Sequence, residues 1–420
     1  MPSLIRRIFK IVPEKTWRRR AESLREKARQ NPYMSEYLNE IHELELTLDS
    51  VMKNVEETGI LPTVSTSASH YRLYAFIATF ARMREKLGKQ ERVRLDGMLK
   101  DGVKNKNGLT SLQHELTTFI GLQTKALDVV CHDIVEGAGY DYYVRAEGLE
   151  LEVECKCAGG DLGRKVEREH ALSTFNKLES VIREHWRTST EKRGIFVDVV
   201  YEGRSTADLN TLNKIAAATA TAISSGDAQE SDGVSIAASE FTFAGSIFDR
   251  GADARPSRND LEEFCRNEFD IKGVYTFVLG SEPNGCVIVC LRSKKPDRFL
   301  DALLRTCKEA ARDQFSETKA AVLSVQLLDM TAEQIAELTD SRSDPENING
   351  LMRIAHEFFK SESRRHVFAI IFRSHGIIQN RVGSDGIEGI QEEGLHYIFK
   401  NSQHWASSRD DYPQYHSAFG

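Results

Sequence analysis

Residues 149–157 alternate strictly between apolar and polar side chains, and this alternation predicts a β-strand. One face would carry the apolar side chains and the other face three acids and a lysine: Leu149, Leu151, Val153, Cys155 and Cys157 against Glu150, Glu152, Glu154 and Lys156. The polar face has two interpretations. It is either the solvated face of an edge strand, where charges discourage edge-to-edge pairing, or a surface that gathers charged groups for chemistry.

The segment before this strand predicts a hairpin. A two-residue turn at 147–148 places Tyr142 opposite Val153 and Asp141 opposite Glu154. A three-residue turn would instead move Asp141 to the apolar face. In the first register two carboxylates meet with their Cβ atoms about 5 Å apart, which is unfavourable without a positive charge between them. A divalent cation such as Mg²⁺ suits this position, because it takes one or two carboxylates and also binds waters and phosphate oxygens.

Asp141 and the run Glu154-Cys155-Lys156 resemble the motif of the PD-(D/E)XK nuclease superfamily, whose members carry an Asp on one strand and Glu-x-Lys on the next. The resemblance covers about residues 109–202, and it departs from the motif at Tyr140, which stands where the Pro would be. It is supported by the order of elements, in which a helix precedes the hairpin and a long helix and an apolar strand follow it. It implies an α/β fold of the restriction-endonuclease-like type, a mixed sheet flanked by helices.

The resemblance also implies roles for individual residues. Asp141 and Glu154 would bind Mg²⁺, with Mn²⁺ as an alternative, assisted by the backbone carbonyl of Cys155, and Lys156 would orient or activate the attacking water. Glu115, in the helical run 110–120, matches a Glu that many members carry on the helix before the first strand. The implied activity is hydrolysis of phosphodiester bonds in DNA or RNA, in restriction, repair or phage defence. The alternative is a nuclease-fold module without activity that serves as a nucleic-acid-binding or assembly subunit.

The pattern along the whole chain predicts three regions. Residues 1–108 are predicted to form a helical, basic N-terminal region. Residues 109–232 are predicted to form the nuclease-like core, with a long helix at about 161–186 capped by Asp161. Residues 233–420 predict an α/β region whose strands either extend the nuclease sheet or build a separate domain. Its predicted strands lie at 239–243, 274–279, 286–291, 321–328 and 366–372, and its predicted helices at 296–315, 331–339 and 348–361. Residues 204–232 predict a helix and polar loop acting as a linker or insertion, and the last twenty residues a tail.

Composition narrows the class of protein. The 420 residues are 40% hydrophobic and 28% charged, which is ordinary for globular proteins, and no apolar run approaches the ~20 residues of a membrane span. Seven cysteines without a secretory signal predict reduced thiols and a cytoplasmic protein. Cys155 and Cys157 are expected to be buried thiols, since no second pair with zinc spacing follows. The absence of P-loop and Gly-x-Ser-x-Gly motifs excludes a nucleotide-driven motor and a serine-hydrolase elbow.

The net charge is −7, yet positive charge is concentrated in the N-terminal quarter. Residues 1–30 hold ten Lys or Arg against three Glu, a net +7, and residues 82–106 hold nine against four acids, a net +5. Such clusters are typical of phosphate-backbone binding. The basic amphipathic residues 4–12 would dock on the rest of the protein, lie on an anionic membrane or pack on a partner helix. Acids from Glu14 onward disfavour a transit peptide.

Arg164 and Lys165 are candidate nucleic-acid contacts. They fall in the predicted first turns of the long helix, where the helix dipole disfavours cations unless a phosphate is held there. An ordinary charged surface explains them equally well. The expected partner is nucleic acid, DNA in preference to RNA, while a separate protein partner and a homo-oligomer stay open.

Overall fold

The computed structural model describes residues 1–29, 31–63, 67–125, 127–137, 139–146, 148–188, 193–206, 208–242, 246–248, 258–271, 275–280, 285–328, 330, 335, 350–374, 377–382, 388–393 and 396–404. Contacts divide the chain into two units, one made of residues 1–162 with 300–420 and the other of residues 163–299. These boundaries differ from the predicted ones after residues 108 and 232. The reason is that strands from distant parts of the chain share one sheet in the first unit.

In the part of the chain that the structure describes, the first unit begins with eight α-helices interrupted by one strand, and two further α-helices follow much later. The helices are α1 (Pro2–Ile11), α2 (Glu14–Ala28), α3 (Pro32–Ile41), α4 (Glu43–Thr58), α5 (Ala68–Lys86), α6 (Lys89–Lys104), α7 (Thr110–Thr124), α8 (His132–Glu136), α12 (Phe299–Asp313) and α13 (Gly350–Phe359). The helical character predicted for the N-terminal region is confirmed. Most of it is packed against one face of the sheet in a shared apolar core.

The sheet of the first unit has six strands in the order β1-β2-β3-β9-β10-β13. The strands are β1 (Asp128–Cys131), β2 (Tyr142–Ala146), β3 (Leu149–Ala158), β9 (Ala320–Leu327), β10 (Val367–Arg373) and β13 (His396–Lys400), and β11 (Ile377–Val382) pairs with β12 (Glu388–Glu393) as a separate hairpin. β1, β2 and β3 are antiparallel neighbours, whereas β3, β9 and β10 run parallel, and β13 is antiparallel to β10. Some strands of the C-terminal region therefore extend the sheet that carries the motif.

The predicted hairpin register is confirmed. Tyr142 pairs with Val153, and the last pair before the turn is Ala146 with Leu149, which fixes a two-residue turn. Local signals sufficed here, because a two-residue turn and a period-2 pattern together determine the pairing.

The interpretation of β3 as a solvated edge strand is wrong. β3 pairs with β2 on one side and with β9 on the other, and the side chains of Glu152 and Glu154 are 0% and 2% exposed. Glu152 is satisfied inside the protein, since the backbone N–H of Ser316 donates to it at 2.8 Å and the Ser316 hydroxyl donates to it as well. Only Glu150 of the three acids is exposed. The polar face is thus largely buried.

The amphipathic N-terminal segment docks on the rest of its unit. Ile5 and Ile8 of α1 are 4% and 2% exposed and belong to the main apolar core, and Leu4 and Phe9 pack against that core. The apolar face that a membrane or partner helix would need is therefore already covered. Within the described chain, no helix is both long and apolar enough to cross a bilayer.

The second unit contains α9 (Arg168–Thr188), α10 (Leu209–Ser225), α11 (Arg258–Phe269) and a five-stranded sheet in the order β5-β6-β4-β8-β7. Its strands are β4 (Arg193–Tyr201), β5 (Gln229–Ser231), β6 (Val234–Phe241), β7 (Tyr275–Gly280) and β8 (Gly285–Ser293). The strand expected to follow the long helix in the nuclease-like core is β4, and it belongs to this sheet instead, because its partners are β6 and β8. The predicted linker helix is α10, which packs on α9 and β6 as part of the unit.

The long helix begins later than predicted. α9 begins at Arg168, so Asp161 does not cap it. Hydrogen bonds hold the preceding chain in place: the Ser205 N–H donates to the Lys165 carbonyl at 2.8 Å, and the Glu167 N–H donates to the Ser205 hydroxyl at 3.2 Å. Of the other predictions, the helix at 331–339 lies outside the described residues except for residue 335, and the C-terminal tail except for residues 401–404.

Candidate active site

The candidate site lies where β2 begins beside the carboxyl half of β3. Asp141 directly precedes β2, and its Oδ2 accepts a hydrogen bond from the Cys155 backbone N–H at 2.6 Å. The Asp141 carbonyl accepts a bond from the His132 N–H at 2.8 Å, which ties the start of β2 to the start of α8. These two bonds hold Asp141 against β3 even though it lies just outside the ladder of paired residues.

Glu154 and Lys156 point the same way from β3 and touch each other. The Lys156 ammonium lies 2.5 Å from Glu154 Oε1, and the Glu154 side chain is almost completely buried while that of Lys156 is 33% exposed. The other carboxylate oxygen, Glu154 Oε2, is buried and has no hydrogen-bond partner in the described chain. A buried acceptor of this kind is costly to leave unmatched, so it marks a position where a positive ligand would be stabilised.

Glu115 joins the same group from α7. Its charge interacts with those of Glu154 and Lys156, and burial raises its pKa to about 8, with the negative charges of Asp133 and Glu154 adding to the rise and Lys156 opposing it. The structure thus brings together all four predicted catalytic residues, since Asp141 also interacts electrostatically with Glu154 and Glu115.

Asp133 is a fifth member that sequence reasoning missed. It lies in the five-residue helix α8, between β1 and β2, and burial raises its pKa to about 6. It is the acidic neighbour with the largest effect on the pKa of Glu115, and it also raises that of Asp141. No sequence pattern marks a single Asp in so short a helix. The available signal was its position in the short link between the first strand and Asp141.

The electrostatics of the site are those of a negative cluster with too little positive charge. Burial, followed by mutual repulsion, raises the pKa of Asp141 well above its usual range. Burial also raises the pKa of Glu154, although the ammonium of Lys156 partly opposes the shift. For Lys156, burial would lower the pKa, but the attraction of Glu154 outweighs it and the pKa is raised. Lys156 is therefore the cation that offsets the charge of Glu154, while Arg94 and His132 act on Asp133.

A divalent cation would compensate this arrangement. Within the described chain, no three carboxylate, imidazole or thiol side chains form a ready-made metal site. Mg²⁺, however, is commonly held by one or two carboxylates, with waters and substrate phosphate oxygens completing its shell. Asp141 and Glu154, with the unmatched Glu154 Oε2, fit this smaller contribution from the protein. The predicted role of the Cys155 carbonyl stays a prediction.

The other predicted contacts, Arg164 and Lys165, belong to the second unit. The Arg164 guanidinium lies 5.6 Å from the centre of the Tyr275 ring, and the Lys165 N–H donates to Asp297 at 2.8 Å. Their role as nucleic-acid contacts stays a prediction. All seven cysteines are free. Cys155 is buried as predicted, whereas Cys157 is only half-buried, and burial raises the pKa of its thiol to about 12.

Part of the basic N-terminal quarter is used inside the first unit. Arg25 pairs with the buried Asp49, and Arg94 donates to the carbonyls of Ile134 and Val135 at 2.7 Å, which holds α6 against α8. These cations are less available to a ligand than the sequence count suggests. Binding of a phosphate backbone by this quarter of the chain stays a prediction.

Comparisons with known proteins add no relative to this picture, since no protein-family model, curated protein or solved structure matches the chain. Fold and site geometry are therefore the basis for function.

Proposed function

We propose that the protein is a metal-dependent nuclease that hydrolyses phosphodiester bonds, with DNA as the preferred substrate class. The observation that carries the proposal is the convergence of Asp141, Glu154 and Lys156 beside the start of β2, with one Glu154 oxygen buried and unmatched. Two acids and a lysine in this arrangement are what the PD-(D/E)XK resemblance requires. The presence of Glu115 beside them supports the same assignment.

Each residue has a distinct task in this proposal. Asp141 and Glu154 would hold Mg²⁺ or Mn²⁺. When bound, the cation would polarise the scissile phosphate and lower the pKa of the attacking water. Lys156 would orient that water and stabilise the negative charge that develops on the phosphate oxygens, and its contact with Glu154 keeps the ammonium in place before substrate arrives.

Glu115 and Asp133 would shape the site without being required as ligands. Their raised pKa values mean that each holds a proton more readily than a free carboxylate does, so they add less repulsion to the cluster than two full charges would. Asp133 and Lys156 are both half-buried, so the site is in contact with solvent.

The test is a cleavage assay on purified protein. Plasmid, linear duplex, single-stranded DNA and RNA are each incubated with Mg²⁺, Mn²⁺ or EDTA, using wild type, Lys156→Ala and the control Lys319→Ala. Lys319 is a good control because it is a lysine of the same sheet region that bonds the Tyr143 hydroxyl at 2.8 Å, away from the acidic cluster. Cation-dependent cleavage should be lost by at least a hundredfold in Lys156→Ala and kept in Lys319→Ala.

Two outcomes would count against this proposal. Equal cleavage by wild type and folded Lys156→Ala would remove Lys156 from the chemistry. Binding of nucleic acid by the wild type without cleavage of any substrate in any metal would instead favour an inactive nuclease-fold module that acts as a nucleic-acid-binding or assembly subunit.

A further inference from the structure

Arg373 is a cation for which the described part of the chain supplies no counter-charge. It is the last residue of β10 and is half-buried, and its Nε atom is buried and has no hydrogen-bond partner in the described chain. Other arginines of the first unit behave differently: Arg84, for example, is matched by Asp96 at 2.8 Å. A guanidinium withdrawn from water is normally retained in a fold only where an anion or a set of acceptors compensates it.

The neighbours of Arg373 do not supply that anion. Burial lowers its pKa, and the acidic group that acts on it is the Cys155 thiol. Because burial raises the pKa of that thiol well above its usual range, the thiol is neutral and offers no negative charge. No carboxylate of the described chain pairs with the Arg373 guanidinium.

Further donors lie beside it. His396 stands directly opposite Arg373 in the β10–β13 pair, and Gln326 stands opposite it in the β9–β10 pair. Burial, together with the positive charges of Arg373 and of Lys125, which follows α7, lowers the pKa of His396 to about 4. The cross-strand register places the three β-strand residues on one face of the sheet. Together they can donate several hydrogen bonds to one anion.

The place in the fold suits a ligand. β3, β9 and β10 are parallel, so their carboxyl ends meet at one edge of the sheet, where ligands of α/β sheets are commonly bound. Cys157, which follows Lys156, pairs with Gln326, and Gln326 pairs with Arg373. Arg373 is thus two strands from Cys157, about 10 Å along the edge, and like Cys157 it points from the face of the sheet opposite Lys156. A nucleic-acid strand that passes round this edge from Lys156 would bring a further phosphate to Arg373.

We infer that Arg373, with His396, forms a phosphate-binding site at this sheet edge, and that the phosphate it binds belongs to a nucleic-acid backbone. The second half of this inference rests on the proposed nuclease function, whereas the first half does not. Phosphate is a ligand that a guanidinium matches well, because two N–H groups can donate to two of its oxygens.

The test compares wild type, Arg373→Met, Arg373→Lys and the control Arg365→Met, an exposed arginine of the same unit that pairs with Glu362 at 3.1 Å. Binding of a fluorescent DNA oligonucleotide is measured in EDTA at several salt concentrations, and thermal unfolding is measured with and without inorganic phosphate.

Arg373→Met should weaken oligonucleotide binding about tenfold and reduce the slope of log affinity against log salt by about one. Arg373→Lys should recover part of this loss and Arg365→Met should show none of it. Inorganic phosphate should raise the unfolding temperature of wild type more than that of Arg373→Met.

The binding and unfolding measurements together distinguish three other outcomes. If phosphate stabilises wild type through Arg373 while oligonucleotide affinity is unchanged, the nucleic-acid source is overturned and the phosphate belongs to a small molecule. If neither measurement depends on Arg373, the whole inference is overturned. If oligonucleotide binding depends on Arg373 but no cleavage is found in any metal, the nuclease proposal fails and the phosphate site stands.

The folding control is thermal unfolding in phosphate-free buffer. Arg373→Met should be at least as stable as wild type there, because it removes an uncompensated charge, and this result would exclude misfolding as the cause of lost binding.

Discussion

The Asp141 carboxylate and the Cys155 backbone amide are joined by a 2.6 Å hydrogen bond. This bond fastens the residue before β2 to the middle residue of the Glu-x-Lys run on β3. It holds one acid of the motif beside the other. The geometry of the site is therefore built into the hairpin.

This hydrogen bond predicts different effects on stability for two substitutions of Asp141. Asn keeps an oxygen that can accept from the Cys155 N–H but carries no charge, whereas Ala removes the acceptor. We expect both to lose cleavage by at least a hundredfold, and Asp141→Ala alone to lose about 1–3 kcal/mol of unfolding free energy. Urea unfolding in EDTA tests the predicted change in stability, and cleavage in Mg²⁺ tests the predicted loss of activity. Wild-type cleavage by Asp141→Asn would mean that its charge has no role.

Glu152 and Glu154 are both buried acids of β3, but they should behave differently. Glu152 accepts from the Ser316 N–H at 2.8 Å and from its hydroxyl, so it serves the fold. We expect Glu152→Ala to cost about 2–4 kcal/mol, because it leaves a buried donor unmatched, and Ser316→Ala about 1–2 kcal/mol. Cleavage per folded molecule should stay within a few-fold of wild type in Ser316→Ala, as judged from rates normalised to the folded fraction. A loss of activity without a loss of stability would show that Ser316 acts on the site.

Stability without metal should depend on pH through the acidic cluster. Glu115 has its pKa raised to about 8 and Asp133 to about 6, while both acids titrate near pH 4 to 4.5 in an unfolded chain. Between these limits the folded state binds more protons than the unfolded state, so unfolding free energy falls as pH rises from about 4.5 to 8. The decrease should be on the order of 1 kcal/mol or more.

Urea unfolding in EDTA across this pH range measures the effect, and Glu115→Gln should flatten the curve above pH 6. Mg²⁺ should restore more stability at pH 8 than at pH 6, because at the higher pH fewer protons compete with the cation. A stability that rises with pH over this range would contradict the electrostatics described for the site.

The docking of α1 gives a prediction for the N-terminus. Ile8 is 2% exposed in the main core, so Ile8→Ala should cost about 2–5 kcal/mol of unfolding free energy. Arg6 is exposed on the same helix and serves as the control, since Arg6→Ala should change stability by less than about 0.5 kcal/mol. Chemical denaturation measures both. Flotation of folded wild type with anionic liposomes through residues 2–11 would show instead that this face is free.

How much of the fold the sequence could predict depends on how far apart along the chain the interacting residues lie. The register of Tyr142 with Val153 came from a local turn and a period-2 pattern, and both are visible within twenty residues. The central position of β3 was not visible, because β9 lies more than 160 residues further along the chain. The burial of Glu152 depends on Ser316, 164 residues away, so a polar residue at a strand position looked solvated.

The same reasoning applies to the site. Asp141, Glu154 and Lys156 belong to one hairpin, and a short motif was enough to identify them. Asp133 joins them only because Arg94 of α6 and the backbone of Asp141 hold α8 in place, and these contacts leave no pattern in the sequence. The membership of β4 in a second sheet was likewise hidden, since an apolar run does not reveal its partners.

The most direct test of the central claim compares Glu154→Gln with Glu150→Gln in initial cleavage rate under Mg²⁺. The two substitutions remove the same charge from the same face of the same strand, but Glu150 is exposed and four residues from the site. The account predicts that Glu154→Gln loses at least a hundredfold in rate and that Glu150→Gln keeps the wild-type rate. Equal rates in the two variants would contradict a cation-dependent site at Asp141, Glu154 and Lys156.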